Sequence, residues 1–300
     1  MCAPDTKQPR GDVEIPKTSG ARPSAIRRMA PFILSGLLFD TALYFAVHSL
    51  LPRDLAPEPR YCPSDDPGCA RRDLLAFQLT CSTNLIYLGV TGFRSFYVTG
   101  TARSSVPQTP RGRYFGNNPA VMLPEADRIN AAIVVFQGWD LVASVFFEEH
   151  RTPIMMTHHA LALACGWFCL WYEVNPYYAV YFGGVSEFSS IFLVFAQSFE
   201  YFPPERLADP GTSLGAMLTG FQLFCQAGFV VTFFLFRILG WFRHSVSLMR
   251  DARYIVKHGL LERFSPGSGW FLYFLITMSV LLGGLQIYWM HGIIVKLSEM

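Results

Sequence analysis

Residues 269–295 read GWFLYFLITMSVLLGGLQIYWMHGIIV, and this stretch decides the fold. It contains no Asp, Glu, Lys or Arg, and it is longer than the roughly 20 apolar residues that a helix needs to cross a bilayer. The same measure is met, or nearly met, by six further stretches: 31–51, 74–98, 130–147, 153–172, 177–199 and 214–239. The sequence therefore predicts an integral membrane protein of about seven transmembrane spans.

The apolar stretches are too long, and alternate too little between apolar and polar residues, to be the strands of a membrane barrel. Since only helices and closed barrels hide their backbone polar groups in lipid, the predicted fold class is an all-α, polytopic helix bundle. The composition agrees, because only 15% of residues are charged, against roughly a quarter in a soluble domain. The net charge of +2 is too small to indicate a nucleic-acid partner.

The chain divides into three predicted parts. Residues 1–28 are polar, contain no apolar core of a signal peptide and end in Arg27-Arg28, which predicts a disordered cytosolic tail. Residues 29–73 hold the first span and its loop, and residues 74–300 form the main transmembrane domain.

A cytosolic N-terminus places the basic segments 99–129 and 240–268 in the cytosol and the loop 52–73 in a lumen. An error of one in the number of spans would reverse the predicted lumenal C-terminus. In an oxidising lumen Cys62 and Cys69 could form a disulfide, and two free thiols remain the alternative.

Ionisable residues are rare within the predicted spans, and each costs at least about 2.5 kcal/mol near the middle of a bilayer. They are therefore functional candidates. The candidates singled out are Asp40, Asp140, His158, His159 and Glu187. Neutral polar residues on the same helices include Gln137, Ser186 and Ser190.

Several of these residues are expected to lie at similar depths in the membrane. Asp140, His158 and His159 lie five to seven residues from the same membrane edge, which corresponds to about 8–11 Å. Glu187 lies roughly 15 Å inside its span. We expect these side chains to converge on one intramembrane cavity. Because neighbouring residues on a helix point about 100° apart, at most one of the two histidines should be the reacting group.

A purely structural interpretation stays open beside the functional one. A single histidine in a membrane more often bonds a neighbouring helix than it catalyses a reaction. Glu187 could be neutral and simply packed, and Asp40 could sit at a polar helix interface.

Several motifs, in this order, resemble the TLC-domain family, which includes the ceramide synthases. The resemblance covers about residues 74–296 and rests on GWDLVAS with Asp140, MMTHHALAL with His158 and His159, GGVSEFSSIFL with Glu187, FFLFRIL with Arg237, and LQIYWMHGIIVKL with Trp289. The chain is more similar to the smaller members, because SEFSS stands where ceramide synthases carry further His and Asp residues. The resemblance implies an endoplasmic-reticulum protein that acts on membrane lipids.

Two functional hypotheses follow. In the first, the protein transfers an acyl group from acyl-CoA, a co-substrate rather than a bound cofactor, to a lipid amine or hydroxyl. Its catalytic residues would be His158, His159 and Asp140. In the second, a non-enzymatic protein binds lipid and regulates membrane composition or trafficking. In that case Glu187, Asp140 and the two histidines would hydrogen-bond the lipid head group. The ligand-binding residues expected from the sequence are Glu187, Ser186, Ser190, Gln137, Arg237 and Trp289.

Four other classes remain as weaker alternatives. A fatty-acid elongase would need a third histidine where this chain has Met155. A di-iron desaturase would need several histidine clusters. A proton-coupled transporter would use the same ionisable groups as a relay, but no inverted repeat is evident. A metal site is disfavoured because the adjacent histidines diverge, so no metal ligand is assigned.

Overall fold

The structure is a computed structural model, and it describes residues 24–51, 72–116, 124–147, 150–201, 204 and 208–298. Most of the predicted tail and the possible Cys62–Cys69 disulfide lie outside these residues. Within the described ranges every regular element is a helix. The predicted all-α fold class is therefore confirmed.

Twelve α-helices are found among the described residues, and three irregular helical segments extend or connect them. The α-helices are α1 (Ala25–Leu50), α2 (Arg72–Phe93), α3 (Thr101–Ser104), α4 (Pro110–Phe115), α5 (Pro124–Ala143), α6 (Pro153–Tyr172), α7 (Pro176–Phe182), α8 (Phe188–Tyr201), α9 (Ser213–Thr232), α10 (Trp241–Lys257), α11 (Leu260–Phe264) and α12 (Gly269–Ser298). A π-helix (Arg94–Val98) extends α2, a 3₁₀ turn (Val185–Glu187) precedes α8, and a second π-helix (Phe233–Gly240) joins α9 to α10.

Six helical stretches in the described part of the chain are long and apolar enough to cross a membrane. They are Ala25–Leu50, Asp73–Val98, Pro153–Tyr172, Pro176–Phe199, Ser213–Lys257 and Gly269–Val295. The predicted number of about seven spans is close to this result. The chain is an integral, multi-pass membrane protein.

The predicted span that is not among these six is the third, and most of it corresponds to α5. Its charged residues Glu125, Asp127, Arg128 and Asp140 make it more polar than the six spans. It is nevertheless a bundle helix, because more than half of its residues are buried and it packs against α1, α2 and α6. A helix enclosed by other helices does not need a lipid-facing apolar surface.

The start of α1 is fixed to the bundle by charged groups. The Arg28 guanidinium contacts Asp127 Oδ2 at 3.2 Å and Glu173 Oε1 at 3.5 Å. The backbone N–H of Ala25 also donates to Glu173 Oε1, at 2.7 Å. As a result α1 begins at Ala25, within the segment that the sequence predicts as a tail, and is joined to α5 and to the end of α6.

Close backbone contact positions the segment before α8 against α2. A Cβ atom on Gly92 would lie 2.4 Å from the backbone of Gly184, so α2 approaches this turn as closely as glycine allows. Further along, α2 packs along α8, and α8 packs along α9. This contact fixes the position of the 3₁₀ turn that carries Glu187.

The second π-helix redirects one charged side chain. The segment Ser213–Lys257 is continuous and helical over 45 residues, and the π-helix Phe233–Gly240 interrupts its regular α-helical geometry. A π-helix inserts an extra residue into a turn and shifts the faces that follow it. Arg237 lies within this π-helix and is only 7% exposed, so its side chain points into the bundle.

A buried charge network anchors the segment between α2 and α5. Arg113 on α4 donates from Nε and Nη2 to the two carboxylate oxygens of Asp251 on α10, at 2.7 and 2.6 Å. The Tyr178 hydroxyl donates to Asp251 Oδ2 at 2.6 Å. These bonds to Asp251 raise the pKa of Arg113, which therefore remains charged.

Candidate functional site

A cavity of about 660 Å³ lies among α2, α5, α6, α8, α9, the second π-helix and α12. Its volume is within the range of about 300–1,000 Å³ that is usual for small-molecule sites. Leu223 on α9 and Gly292 on α12 line this cavity and are also exposed. The cavity therefore opens between these two helices, on the side of the bundle where lipid would lie.

Most of the residues predicted as site residues line this cavity. They are Gln137, Asp140, His158, His159, Glu187, Ser190, Arg237 and Trp289. Ser186 does not line it: its hydroxyl donates to the Phe182 carbonyl oxygen, and its own carbonyl oxygen accepts from Arg237 Nε at 3.1 Å. Asp40 is also elsewhere, buried between α1 and α2, where it accepts a bond from Asn84.

His159 is held between two side chains of α5. Its Nδ1 lies 2.6 Å from Gln137 Oε1, and because an amide oxygen can only accept, Nδ1 carries the hydrogen. Its Nε2 lies 3.6 Å from Asp140 Oδ2 and has no hydrogen-bond partner among the described residues. Asp140 in turn accepts from the Ser144 hydroxyl through Oδ1, at 2.8 Å. The imidazole is thus held in place, with one nitrogen facing a carboxylate.

His158 is positioned differently from its neighbour. Its ring lies edge-to-face with the rings of His159 and Trp289, at centroid distances of 5.3 and 5.4 Å. No hydrogen bond joins it to another described residue, and its Nδ1 is buried without a partner. Of the two histidines, His158 is therefore the one that packing rather than hydrogen bonding holds.

Arg237 and Glu187 form the second polar group in the cavity. Arg237 Nη2 donates to Glu187 Oε2 at 2.7 Å and to the Ser190 hydroxyl oxygen at 2.7 Å. The guanidinium also donates to Ser189 Oγ at 3.0 Å, and Gln286 Oε1 lies at 3.5 Å. The buried charge is thus paired and hydrogen-bonded, as a charge in a low-dielectric interior must be.

A smaller chamber of about 100 Å³ adjoins the cavity, and four residues line both: Gln137, His158, Glu187 and Arg237. Asn130 and Asn175 line only the smaller chamber, and each has one buried side-chain atom without a partner among the described residues. The polar residues around His158 and Arg237 therefore separate two spaces inside the bundle.

Sequence reasoning missed several polar residues at these sites. They are Gln78, His150 and Gln226 in the cavity wall, and Asn130 and Asn175 in the smaller chamber. An isolated glutamine in an apolar stretch, as at Gln226, is a signal that could have indicated a buried polar site. His150 follows a predicted span, where a polar residue is ordinary. No group of three or more metal-ligating side chains occurs in the described part of the chain.

The chain matches a known protein family. No curated protein sequence and no solved structure matches the chain. The family model described as the TLC domain matches residues 82–295, which is well over half of the chain and includes every predicted site residue. The matched region contains most of the residues that line the cavity, both histidines and the Arg237–Glu187 pair. The chain therefore belongs to the TLC-domain family.

Proposed function

We propose that this lipid-related membrane protein is an acyltransferase, which moves an acyl group from acyl-CoA to the hydroxyl or amine of a membrane lipid. The observation that carries the proposal is the pair of adjacent histidines on the cavity wall. His159 is held by its hydrogen bond to Gln137, with its Nε2 3.6 Å from Asp140 Oδ2, and His158 makes no hydrogen bond within the described part of the chain. One imidazole is thus immobilised, and its neighbour is available to substrate.

The reaction is a direct acyl transfer. The acceptor hydroxyl or amine gives its proton to the neutral His158 imidazole, and its oxygen or nitrogen attacks the thioester carbonyl carbon. The carbon–sulfur bond then breaks, and the proton passes from His158 to the thiolate of CoA. Asp140 and Gln137 hold His159 against His158, so these three are positioning residues and His158 is the catalytic residue.

The surroundings of the cavity suit this chemistry. Its walls are mainly apolar, with Phe77, Leu85, Phe136, Val194 and Val230 among the lining residues. An acyl chain that is already dissolved in the bilayer can enter such a space, and water, the competing nucleophile, is largely excluded. The endoplasmic reticulum, where acyl-CoA meets newly made lipids, is the location that we propose.

The test is an acyl-transfer assay with purified protein in liposomes, labelled acyl-CoA and a total lipid extract. We expect His158→Ala to lower the rate about 100-fold or more, the usual contribution of a general base. The matched control is His291→Ala, on the exposed face of α12, which should leave the rate unchanged. Wild-type protein that transfers no acyl group, or a His158→Ala variant that retains full turnover, would refute the proposal.

A second function, lipid binding without catalysis, is favoured by the Arg237–Glu187 pair. The two charges are already paired with protein groups. The pair can therefore line a lipid-binding space without taking part in a reaction. In this case a lipid should co-purify unchanged with wild-type protein and be lost from Glu187→Ala. Mass spectrometry of extracted lipids, before and after incubation with acyl-CoA, separates the two functions.

A further inference from the structure

We infer that the cavity holds a second polar subsite, formed by Gln197 and Gln226, for an uncharged hydrogen-bonding group of the bound lipid. Such a group is a second hydroxyl, an amide or an ester, separate from the group that reacts at His158. The inference deepens the proposed function and rests on it only for the identity of the reacting group. According to this inference, the residues of α8 and α9 that line the cavity, here called the α8–α9 wall, help to determine which lipid is bound.

The two glutamines stand out from their surroundings. Gln197 on α8 and Gln226 on α9 both line the cavity, among apolar neighbours such as Leu193, Leu223 and Val230. Neither makes a hydrogen bond or an ion pair with any other residue that the structure describes. An amide left unpaired in an apolar environment is unfavourable, and in a bilayer no bulk water is present to compensate for it.

Their location separates them from the polar group around the two histidines. His158, His159, Gln137 and Asp140 come from α5 and α6, whereas the glutamines come from α8 and α9. Because α2 packs against both α5 and α8, it lies between these two helix pairs. A lipid in the cavity can therefore meet the histidines with one polar group and the glutamines with another.

The chemistry of the side chains limits the ligand class. A glutamine amide offers two N–H donors and one acceptor oxygen and carries no charge. α9 contains no charged residue, and the charges of Arg237 and Glu187 are paired with each other. None of the residues described as lining the cavity from α8 and α9 is charged, so this lining offers no group that would neutralise an ionic head group. It suits a neutral group that both donates and accepts, or one that accepts from two N–H groups.

The experiment compares two single-chain probes that differ in their polar groups, 1-hexadecanol and 1-monopalmitoylglycerol. Apparent dissociation constants are measured by thermal-shift titration of the purified full chain in detergent. Wild-type protein should bind the glycerol ester at least fivefold more tightly, since one added hydrogen bond corresponds to about this factor. The Gln197→Leu/Gln226→Leu double variant should bind the two probes within twofold of each other.

The matched control is Gln222→Leu. Gln222 lies one helical turn before Gln226 on α9 and does not line the cavity, so this variant should keep the wild-type preference. A second readout guards against misfolding. Since neither amide has a partner among the described residues, leucine at these positions should leave the melting temperature of the ligand-free protein unchanged or raise it. A lower melting temperature would show that the amides hold the fold, and it would overturn the inference.

Two further results would also overturn it. One is a double variant that keeps the preference for the glycerol ester, and the other is wild-type protein that binds both probes equally or binds neither. Turnover plays no part in these measurements. A positive binding result with a failed acyl-transfer assay would therefore refute only the proposed function.

Discussion

Arg237 Nη2 lies 2.7 Å from Glu187 Oε2, which pairs a charge on the second π-helix with a charge on the turn before α8. The pair joins two elements that are about 50 residues apart in the chain. It also lies between the two chambers, because both residues line both spaces. Its integrity should therefore affect both the stability of the bundle and the shape of the site.

We predict that Arg237→Ala lowers the free energy of unfolding by about 3–5 kcal/mol, because it leaves the Glu187 carboxylate buried and unpaired. The double variant with Glu187→Gln should be more stable than the sum of the two single effects predicts. A double-mutant cycle, measured by denaturation in detergent, gives the coupling energy. Arg243→Ala, on an exposed part of the same long helix, is the control. Additive effects at Arg237 and Glu187 would contradict the prediction.

Replacing Asp140 by Asn tests the role of the carboxylate. The amide has nearly the same shape and can donate to His159 Nε2, so the fold should remain and the melting temperature should change little. The negative charge is lost, and we expect kcat for acyl transfer to fall at least about tenfold with little change in KM. Steady-state kinetics separate the two parameters. A rise in KM alone would instead indicate that Asp140 binds substrate directly.

The Arg113–Asp251 network should hold the segment 101–116 against α10. With Asp251→Asn, Arg113 loses its ionised partner, and we expect the free energy of unfolding to fall by about 3 kcal/mol. Protease cleavage within 101–116 should become faster, which limited proteolysis and mass spectrometry can detect. Glu262→Gln, at an exposed position on α11, should change neither result. Unchanged cleavage in Asp251→Asn would show that packing alone holds the segment.

Gly92 should tolerate no side chain. The added Cβ of Gly92→Ala would meet the Gly184 backbone at 2.4 Å, and forcing α2 from the turn should cost about 1–3 kcal/mol or more. Gly284→Ala on α12 is the matched control, because its added Cβ has no neighbour within 4 Å. This control should be neutral or slightly stabilising, since alanine favours helix. Thermal unfolding of both variants tests the difference.

Hydropathy predicted the spans well because lipid imposes one requirement on every lipid-facing helix. It was less accurate for α5, which does not face lipid along most of its surface. The predicted span begins at residue 130, whereas α5 begins at Pro124, where the Asp127 carboxylate pairs with Arg28. It ends at Ala143, just before a turn in which Ser144 bonds Asp140. Interactions between helices decide these boundaries, and a hydropathy pattern does not contain them.

The candidate site, too, could be predicted only in part from the sequence. Ionisable residues in apolar stretches led directly to Asp140, His158, His159 and Glu187, because burying such groups requires a reason. Equal depth predicted the proximity of Asp140 to the histidines. The sequence did not indicate that Arg237 lies in a π-helix, since one inserted residue leaves the apolar pattern intact. Nor did it show that Ser186 bonds Arg237 through its backbone rather than through its hydroxyl.

The long helix Ser213–Lys257 extends beyond the thickness of a membrane. At 1.5 Å per residue, its 45 residues extend over about 68 Å, more than twice the hydrocarbon thickness of about 30 Å. No tilt of ordinary size absorbs such an excess. The end with Arg250, Arg253 and Lys257 should therefore lie beyond the hydrocarbon region of the bilayer. Arg237 lies in the π-helix that joins this end to α9, so a displacement of the end would act on the part of the helix that holds the Arg237–Glu187 pair.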